Sequence, residues 1–392
     1  MLGKTPPIGG RMQRFPIIMS LLVAAFLTAA QVYLESYTRI WAVLAGFLAG
    51  FALYHAAFGF AGGWRRFVTE GSGRGIRAQM LLIALVVPVS FTLIAAGKTG
   101  GWVVPVGPGF LFGAAVFGVG MSLAGSCASG TLFVAGGGST RMMIALAAFI
   151  TGSVLGTAHV PFWLGLGQGT QVSFVRNFGV GGAIAITYAI CGALVLLTLW
   201  LERKWNVQSA PAPRLRDTRL LRGPWHPWVG SVALAIVCIM IFVTLRRPWG
   251  VTEAFALWGA KVGVAAGLPI DQWTYWSGGR SRQLEATVLS HTTSILNFAL
   301  IAGAFCASAV QGRFKPVLNL STKDVVTAVI GGLLMGYGAR LSSGCNIGAF
   351  LGGVTSGSLH GWIWALTAFL GFAAALRLPP MVMMRRLQNA PS

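Results

Sequence analysis

Two cysteines stand in the same local frame. Gly118-Val-Gly-Met-Ser-Leu-Ala-Gly-Ser-Cys127-Ala-Ser-Gly130 and Gly336-Tyr-Gly-Ala-Arg-Leu-Ser-Ser-Gly-Cys345-Asn-Ile-Gly348 both read G-x-G-x-x-L-x-x-x-C-x-x-G without a gap. In each, an apolar glycine-rich run leads into the cysteine and a short segment follows: Ala128 to Val134 before Gly136-Gly137-Gly138, and 345–351 before Gly352-Gly353. A bilayer crossing takes about 20 residues of helix. Each short segment therefore reads as a half-helix that begins at the cysteine and stops at the glycines. A half-helix N-terminus presents unpaired N–H groups and the positive end of its dipole. Two such ends facing each other near the midplane would hold a dianion without a full buried positive charge. Ser126, Ser129, Gly130, Ser342, Ser343, Asn346 and Gly348 belong to the same two motifs, Thr131 follows the first, and the hydroxyls and amide among them add polar donors. Arg340 is a charge inside an apolar span and is a site candidate by default. Its counterpart in the first motif is Ser122, so the pair is not electrically symmetric.

As a small apolar filler, cysteine has no advantage over Ala or Ser at these positions. A thiol is a weak donor and a polarisable one, suited to soft atoms, and it can make an S–H···S contact with a sulfur-bearing ligand. The thiol is the expected working form, because a thiolate would repel an anion. The other three cysteines are Cys191, Cys238 and Cys306; Cys191 and Cys238 lie in long aliphatic runs and read as buried small hydrophobes. The five cysteines form no CxxC and no Cys/His cluster with zinc spacing, so neither a metal nor a disulfide framework is expected. The sequence has no P-loop, no Ser-His-Asp set and no paired carboxylates. Only eight acidic residues are present, with Glu285 alone as a candidate inside a span. No enzyme chemistry and no cofactor are expected.

The elements that must position these motifs are membrane helices. Of 392 residues, 55% are hydrophobic and 9% charged, against roughly 25% charged in soluble proteins, so lipid must cover much of the surface. The net charge of +21 sits between apolar runs rather than in an aromatic-interleaved stripe, which argues for membrane orientation and against nucleic acid. Spans are expected near 17–34, 40–58, 79–97, 109–125, 141–158, 182–201, 228–245, 286–310, 325–341 and 359–376. Residues 251–268, interrupted by Glu253 and Lys261, read as re-entrant or interfacial. The expected fold is an all-α integral membrane protein of about ten transmembrane helices, in two pseudo-symmetric, inverted halves with short re-entrant half-helices. Its parts are an N-terminal extension with an extra apolar span (1–38), a first half (39–201), a basic linker (202–227), a second half (228–376) and a tail (377–392). Lys4, Arg11 and Arg14 before the first span, the arginine-rich linker with Pro211 and Pro213, and Arg385 and Arg386 in the tail put both termini and the linker in the cytoplasm by the positive-inside rule.

These motifs resemble the YeeE/YedE family of sulfur-compound transporters. The most specific stretch is Gly338-Ala-Arg-Leu-Ser-Ser-Gly-Cys-Asn-Ile-Gly-Ala-Phe-Leu-Gly-Gly, with Trp225-His226-Pro227 and Gly312-Arg313-Phe314 also similar. The likeness covers roughly residues 40–376. It implies thiosulfate uptake across a bacterial inner membrane, with the ion passed between cysteine thiols at positions matching Cys127 and Cys345. A third family cysteine has no match, for Gly59 stands in its place and Tyr54 where the family has Gln. A selenium or other sulfur species is therefore the alternative substrate. A membrane thiol-redox or sulfur-relay protein is the alternative of another class. A soluble cytoplasmic sulfur carrier would dock at the basic linker, although membrane orientation already explains that charge.

Overall fold

The computed structural model describes residues 11–207 and 219–377. Lys4, the linker residues Pro211, Pro213, Arg214 and Arg216, and the tail with Arg385 and Arg386 lie outside the described residues. The described chain is all-helical, with a single isolated β-bridge between Ser173 and Ser358. In order the helices are α1 (Arg14–Tyr33), α2 (Tyr37–His55), α3 (Phe60–Glu70), α4 (Arg74–Ala95), α5 (Pro108–Ala124), α6 (Ala128–Gly136), α7 (Thr140–Gly165), α8 (Phe174–Lys204), α9 (Pro227–Leu245), α10 (Thr252–Ala265), α11 (Ser281–Glu285), α12 (Thr292–Val310), α13 (Thr322–Leu341), α14 (Gly352–Val354) and α15 (Leu359–Arg377). Among the described residues, ten segments are long and apolar enough to cross a membrane, at the places the hydrophobic runs indicate. α10, at 14 residues, would reach only about 21 Å at 1.5 Å per residue and is not among them.

Two boundaries move from their expected places. The eighth span starts at Thr292, because 3-10 turns and the His291 cap occupy the residues before it. Glu285 closes α11 outside that span and is exposed, which corrects the expectation of a carboxylate inside it. The sixth span starts at Phe174 and bends at Gly179, whose φ of 67° interrupts the helix.

Glycine sets the packing at the centre. Gly113 and Gly120, two turns apart on α5, meet Gly338 and Gly331 on α13. A Cβ on Gly120 would lie 2.7 Å from the Gly331 carbonyl oxygen, and one on Gly113 2.8 Å from that of Gly338. The low-numbered end of α5 therefore faces the high-numbered end of α13, and the two helices run antiparallel with backbones touching. By the same logic α2 and α12 run parallel, with Gly46 against Leu296 and Gly50 against Leu300. Gly338→Val should lower stability by about 1–3 kcal/mol or prevent folding, since its added carbon would stand 2.7 Å from the Phe117 backbone nitrogen. Thermal unfolding of the detergent-purified variant followed by size-exclusion chromatography checks this, and a wild-type melting curve would refute it.

The connecting segments gather at two ends. At one end Gly100 N–H donates to Arg246 O (3.2 Å), Gly169 N–H to Val106 O (3.0 Å) and Phe174 N–H to Gly357 O (2.6 Å). At the other, Trp225 N–H donates to His55 O (2.8 Å), Gln311 approaches the His55 ring at 2.7 Å and Arg77 pairs with Glu202 at 2.9 Å.

Candidate functional site

Both cysteine motifs fold alike: a glycine-rich helix stops, the cysteine takes an extended conformation, and a short helix starts. α5 ends at Gly125 in the left-handed region (φ 76°). Breaking a helix inside a membrane frees carbonyls that must find other donors. Here arginines supply them. Arg65 donates to Ser122 O (2.8 Å), and Arg141 to Ala124 O (2.6 Å) and Leu123 O (3.2 Å). Cys127 then caps α6, its sulfur accepting from the Gly130 N–H at 3.4 Å and lying 3.5 Å from the Ser129 hydroxyl. Gly130 keeps this point open, because a Cβ there would displace the Ser126 hydroxyl and come 3.3 Å from the Cys127 sulfur.

The second break is more strained. Ser343 sits at φ 59° and Gly344 at φ 148°; a non-glycine residue at positive φ is uncommon and tends to mark functional backbone. Cys345 is extended, and its carbonyl accepts from the N–H groups of both Ala349 (2.7 Å) and Phe350 (3.2 Å). The turn Asn346–Leu351 is accordingly π-helical and runs on into α14. The second short helix thus continues through Gly352 and Gly353 to Val354, rather than stopping at the glycines as their position suggests. A Cβ on Gly348 would meet nothing within 4 Å, so space is open beside the first turn.

The two thiols are buried, each with 1% exposure, and both are free. Cys345 is near enough to interact electrostatically with Cys127 and with Arg340. Asn346 is also 1% exposed, and neither atom of its amide has a hydrogen-bond partner. A buried polar group left unpaired costs about 1–3 kcal/mol, and here the donor and the acceptor of one amide are both left open beside a thiol at a helix start. Ser126 and Ser129 are buried with Cys127. Two further hydroxyls weighed from the sequence are committed elsewhere. Thr131 donates to Cys127 O (2.8 Å), and Ser342 donates to Gly338 O (2.8 Å) while accepting from Trp364 (2.9 Å). Cys306 faces the Ser20 hydroxyl of α1.

Arg340 lies beside Cys345, on the wall of a cavity of about 300 Å³ that Ser343, Gln168, Tyr275, Arg280 and Glu253 also line. Its guanidinium donates to the Tyr275 hydroxyl (3.0 Å) and Thr252 Oγ1 (3.2 Å), and its Nε is buried without a partner. Among the described residues it has no ion-pair partner. Glu253 is engaged by Arg247 at 3.0 Å. Burial pushes the Glu253 carboxyl up, but Arg247, His291 and Arg340 together hold it below its ordinary value, so it stays ionised and committed. Tyr275, Thr252 and Arg280 were not singled out from the sequence. The run Tyr275-Trp-Ser-Gly-Gly-Arg280 was the available signal, an aromatic–arginine segment after an interrupted apolar stretch. No group of three or more metal-ligating side chains occurs among the described residues.

Residues 55–374 match the family model described as Sulphur transport. The chain is 25% identical over 348 residues to the thiosulfate transporter TsuA of Escherichia coli, covering 84% of this chain and 91% of that one. It is 30% identical over 277 residues to TsuA of Spirochaeta thermophila, covering 67% and 75%. The probable transporter YedE of Salmonella typhimurium is 32% identical over 159 residues, a match that spans 40% of this chain and 39% of the relative's length.

Proposed function

The chain belongs to the sulphur transport family, and we propose that it is a permease or facilitator for a small sulfur oxyanion, with thiosulfate as the leading substrate. The observation that carries this reading is the pairing of Cys127 and Cys345, two buried thiols that each begin a short helix after a break and lie within electrostatic reach of each other. Backbone N–H groups at the helix starts and the free amide of Asn346 hold the oxygens. The thiols face the terminal sulfur. Several weak contacts suit conduction, because an ion held by one strong site would not leave. The names of the two relatives matched over most of the chain support the choice of thiosulfate.

The expected setting is a bacterial inner membrane with two inverted halves, for which the antiparallel packing of α5 on α13 is support. The end bearing Arg66, Arg77, Arg203, Lys204, Arg313 and Lys315 faces the cytoplasm by the positive-inside rule. The cavity beside Arg340 then opens outward, as uptake requires, and a soluble sulfur carrier would collect the ion at the basic end. Purified protein in liposomes should accumulate radiolabelled thiosulfate in a saturable manner above protein-free vesicles. Folded protein that accumulates none would refute thiosulfate.

One observation keeps a second substrate open. Gly59 is the N-cap of α3 where the family resemblance places a third cysteine. Competition by sulfite and selenium oxyanions against labelled thiosulfate separates the two substrates. Recovery of a Cys127–Cys345 disulfide or a persulfide formed during turnover would instead favour a sulfur relay.

A further inference from the structure

The cavity beside Arg340 holds charge that the thiol pair does not use. Two guanidiniums, Arg280 and Arg340, line it, and its one carboxylate, Glu253, is paired with Arg247 at 3.0 Å. Tyr275 links the two lining cations. The Arg280 guanidinium lies 4.3 Å above its ring, and Arg340 donates to its hydroxyl at 3.0 Å. Gln168 and Ser343 add neutral polar groups to the wall. Guanidinium groups bind oxyanions through a planar fork of donors that matches two oxygens at once. The volume of about 300 Å³ is that of roughly ten waters at about 30 Å³ each, so a dianion fits with part of its hydration shell. None of the lining residues is a cysteine. Nothing in the cavity therefore distinguishes a terminal sulfur from a terminal oxygen, and what it can read is charge and oxygen geometry.

We propose that this cavity is a first, charge-selective station that accepts tetrahedral dianions generally, sulfate as well as thiosulfate, before the thiols admit only the ion with a terminal sulfur. The inference rests on the thiol pathway above and divides its selectivity between two places. Arg340 and Ser343 belong to the cavity wall, and Ser343 is part of the backbone break that leads into Cys345, so the first station adjoins the segment that carries the second thiol. Sulfate should then occupy the cavity, block thiosulfate uptake and cross at no measurable rate. An arriving dianion would compete with the Tyr275 hydroxyl for Arg340 and take up the free Nε proton.

The test measures equilibrium binding of radiolabelled sulfate to detergent-purified full-length protein, together with liposome uptake of labelled sulfate and thiosulfate. Wild type should bind sulfate, and unlabelled sulfate should inhibit thiosulfate uptake competitively without being accumulated. The Cys127→Ala/Cys345→Ala double variant should keep sulfate binding within about threefold of wild type while losing thiosulfate uptake. Arg280 is exposed, so Arg280→Gln should fold normally and weaken sulfate binding about fivefold, with Arg280→Lys recovering most of the loss. Arg340→Gln, which removes a half-buried cation, should weaken it more than about tenfold. Wild type that neither binds sulfate nor is inhibited by it would overturn the inference, as would sulfate binding unchanged in both arginine variants or sulfate accumulated as readily as thiosulfate. Thiosulfate uptake that is normal but indifferent to sulfate sinks this inference alone. Sulfate bound in the cavity without thiosulfate uptake by wild type would sink the proposed transport function and leave the anion station standing.

Discussion

Cys345→Ala should reduce thiosulfate uptake in liposomes to the level of protein-free vesicles while leaving the protein folded. The side chain is buried, and its loss removes one heavy atom of packing, a change of about 1 kcal/mol in stability. The effect on transport is larger because a hydrogen bond to a charged partner is worth about 1.5–3 kcal/mol, or ten- to a hundredfold in occupancy, and the ion must pass this point. Cys127→Ala should act in the same direction, and the Gly130 N–H that now reaches the Cys127 sulfur would turn to the ion or to Ser126. Cys345→Ser is the informative companion. It keeps a donor at the helix start but replaces a soft atom with a hard one, so residual flux in Ser above Ala measures how much of the site is hydrogen bonding and how much is sulfur. Full transport by Cys345→Ala would end the paired-thiol mechanism, whatever the substrate.

Asn346→Leu should lower uptake at least about tenfold while leaving thermal stability equal to wild type or slightly higher. The two side chains have nearly the same shape, and the amide that is lost has no hydrogen-bond partner. Exchanging an unpaired buried amide for an apolar group of that shape relieves a desolvation cost of about 1–3 kcal/mol. The same change removes the donor that would face an incoming dianion, and a hydrogen bond to a charged partner is worth about 1.5–3 kcal/mol, about tenfold or more in occupancy. A melting curve and an uptake assay on one preparation decide the matter. Joint loss of stability and uptake would mean that Asn346 is structural, and uptake retained in a stable variant would place the ion elsewhere.

Much of this was legible along the chain because membrane helices announce themselves locally. A bilayer core offers no water to backbone groups, so a long apolar run must close its hydrogen bonds within itself, and each of the ten runs became a helix. The short helices that follow the two cysteines were legible for a related reason. Cysteine followed by a short segment and a glycine pair is too little chain to cross, and only its repetition at Cys127 and Cys345 gave the pattern weight. Where local reading failed, a tertiary contact or local backbone geometry had intervened. Gly352 and Gly353 did not end the second short helix, because π-turn bonding at the Cys345 carbonyl carries the chain through them. Glu285 looked internal to a span, yet the turns before His291 leave it on an exposed helix end.

Composition and spacing by themselves determined the class of molecule, the ten spans, the matched cysteines and the suspicion that Arg340 was functional, since each depends on residues adjacent in the chain or on one long apolar run. Only the tertiary structure decided what surrounds them. Arg65 and Arg141 belong to other helices, α3 and α7, yet they satisfy the carbonyls that the break in α5 exposes. Tyr275 and Thr252 reach Arg340 across separations of 65 and 88 residues. The unpaired amide of Asn346 became visible only once every neighbour had been placed. Hydrogen-bond satisfaction is a property of the packed neighbourhood rather than of the chain, and for that reason the thiols could be read from the sequence and the arginine cavity beside them could not.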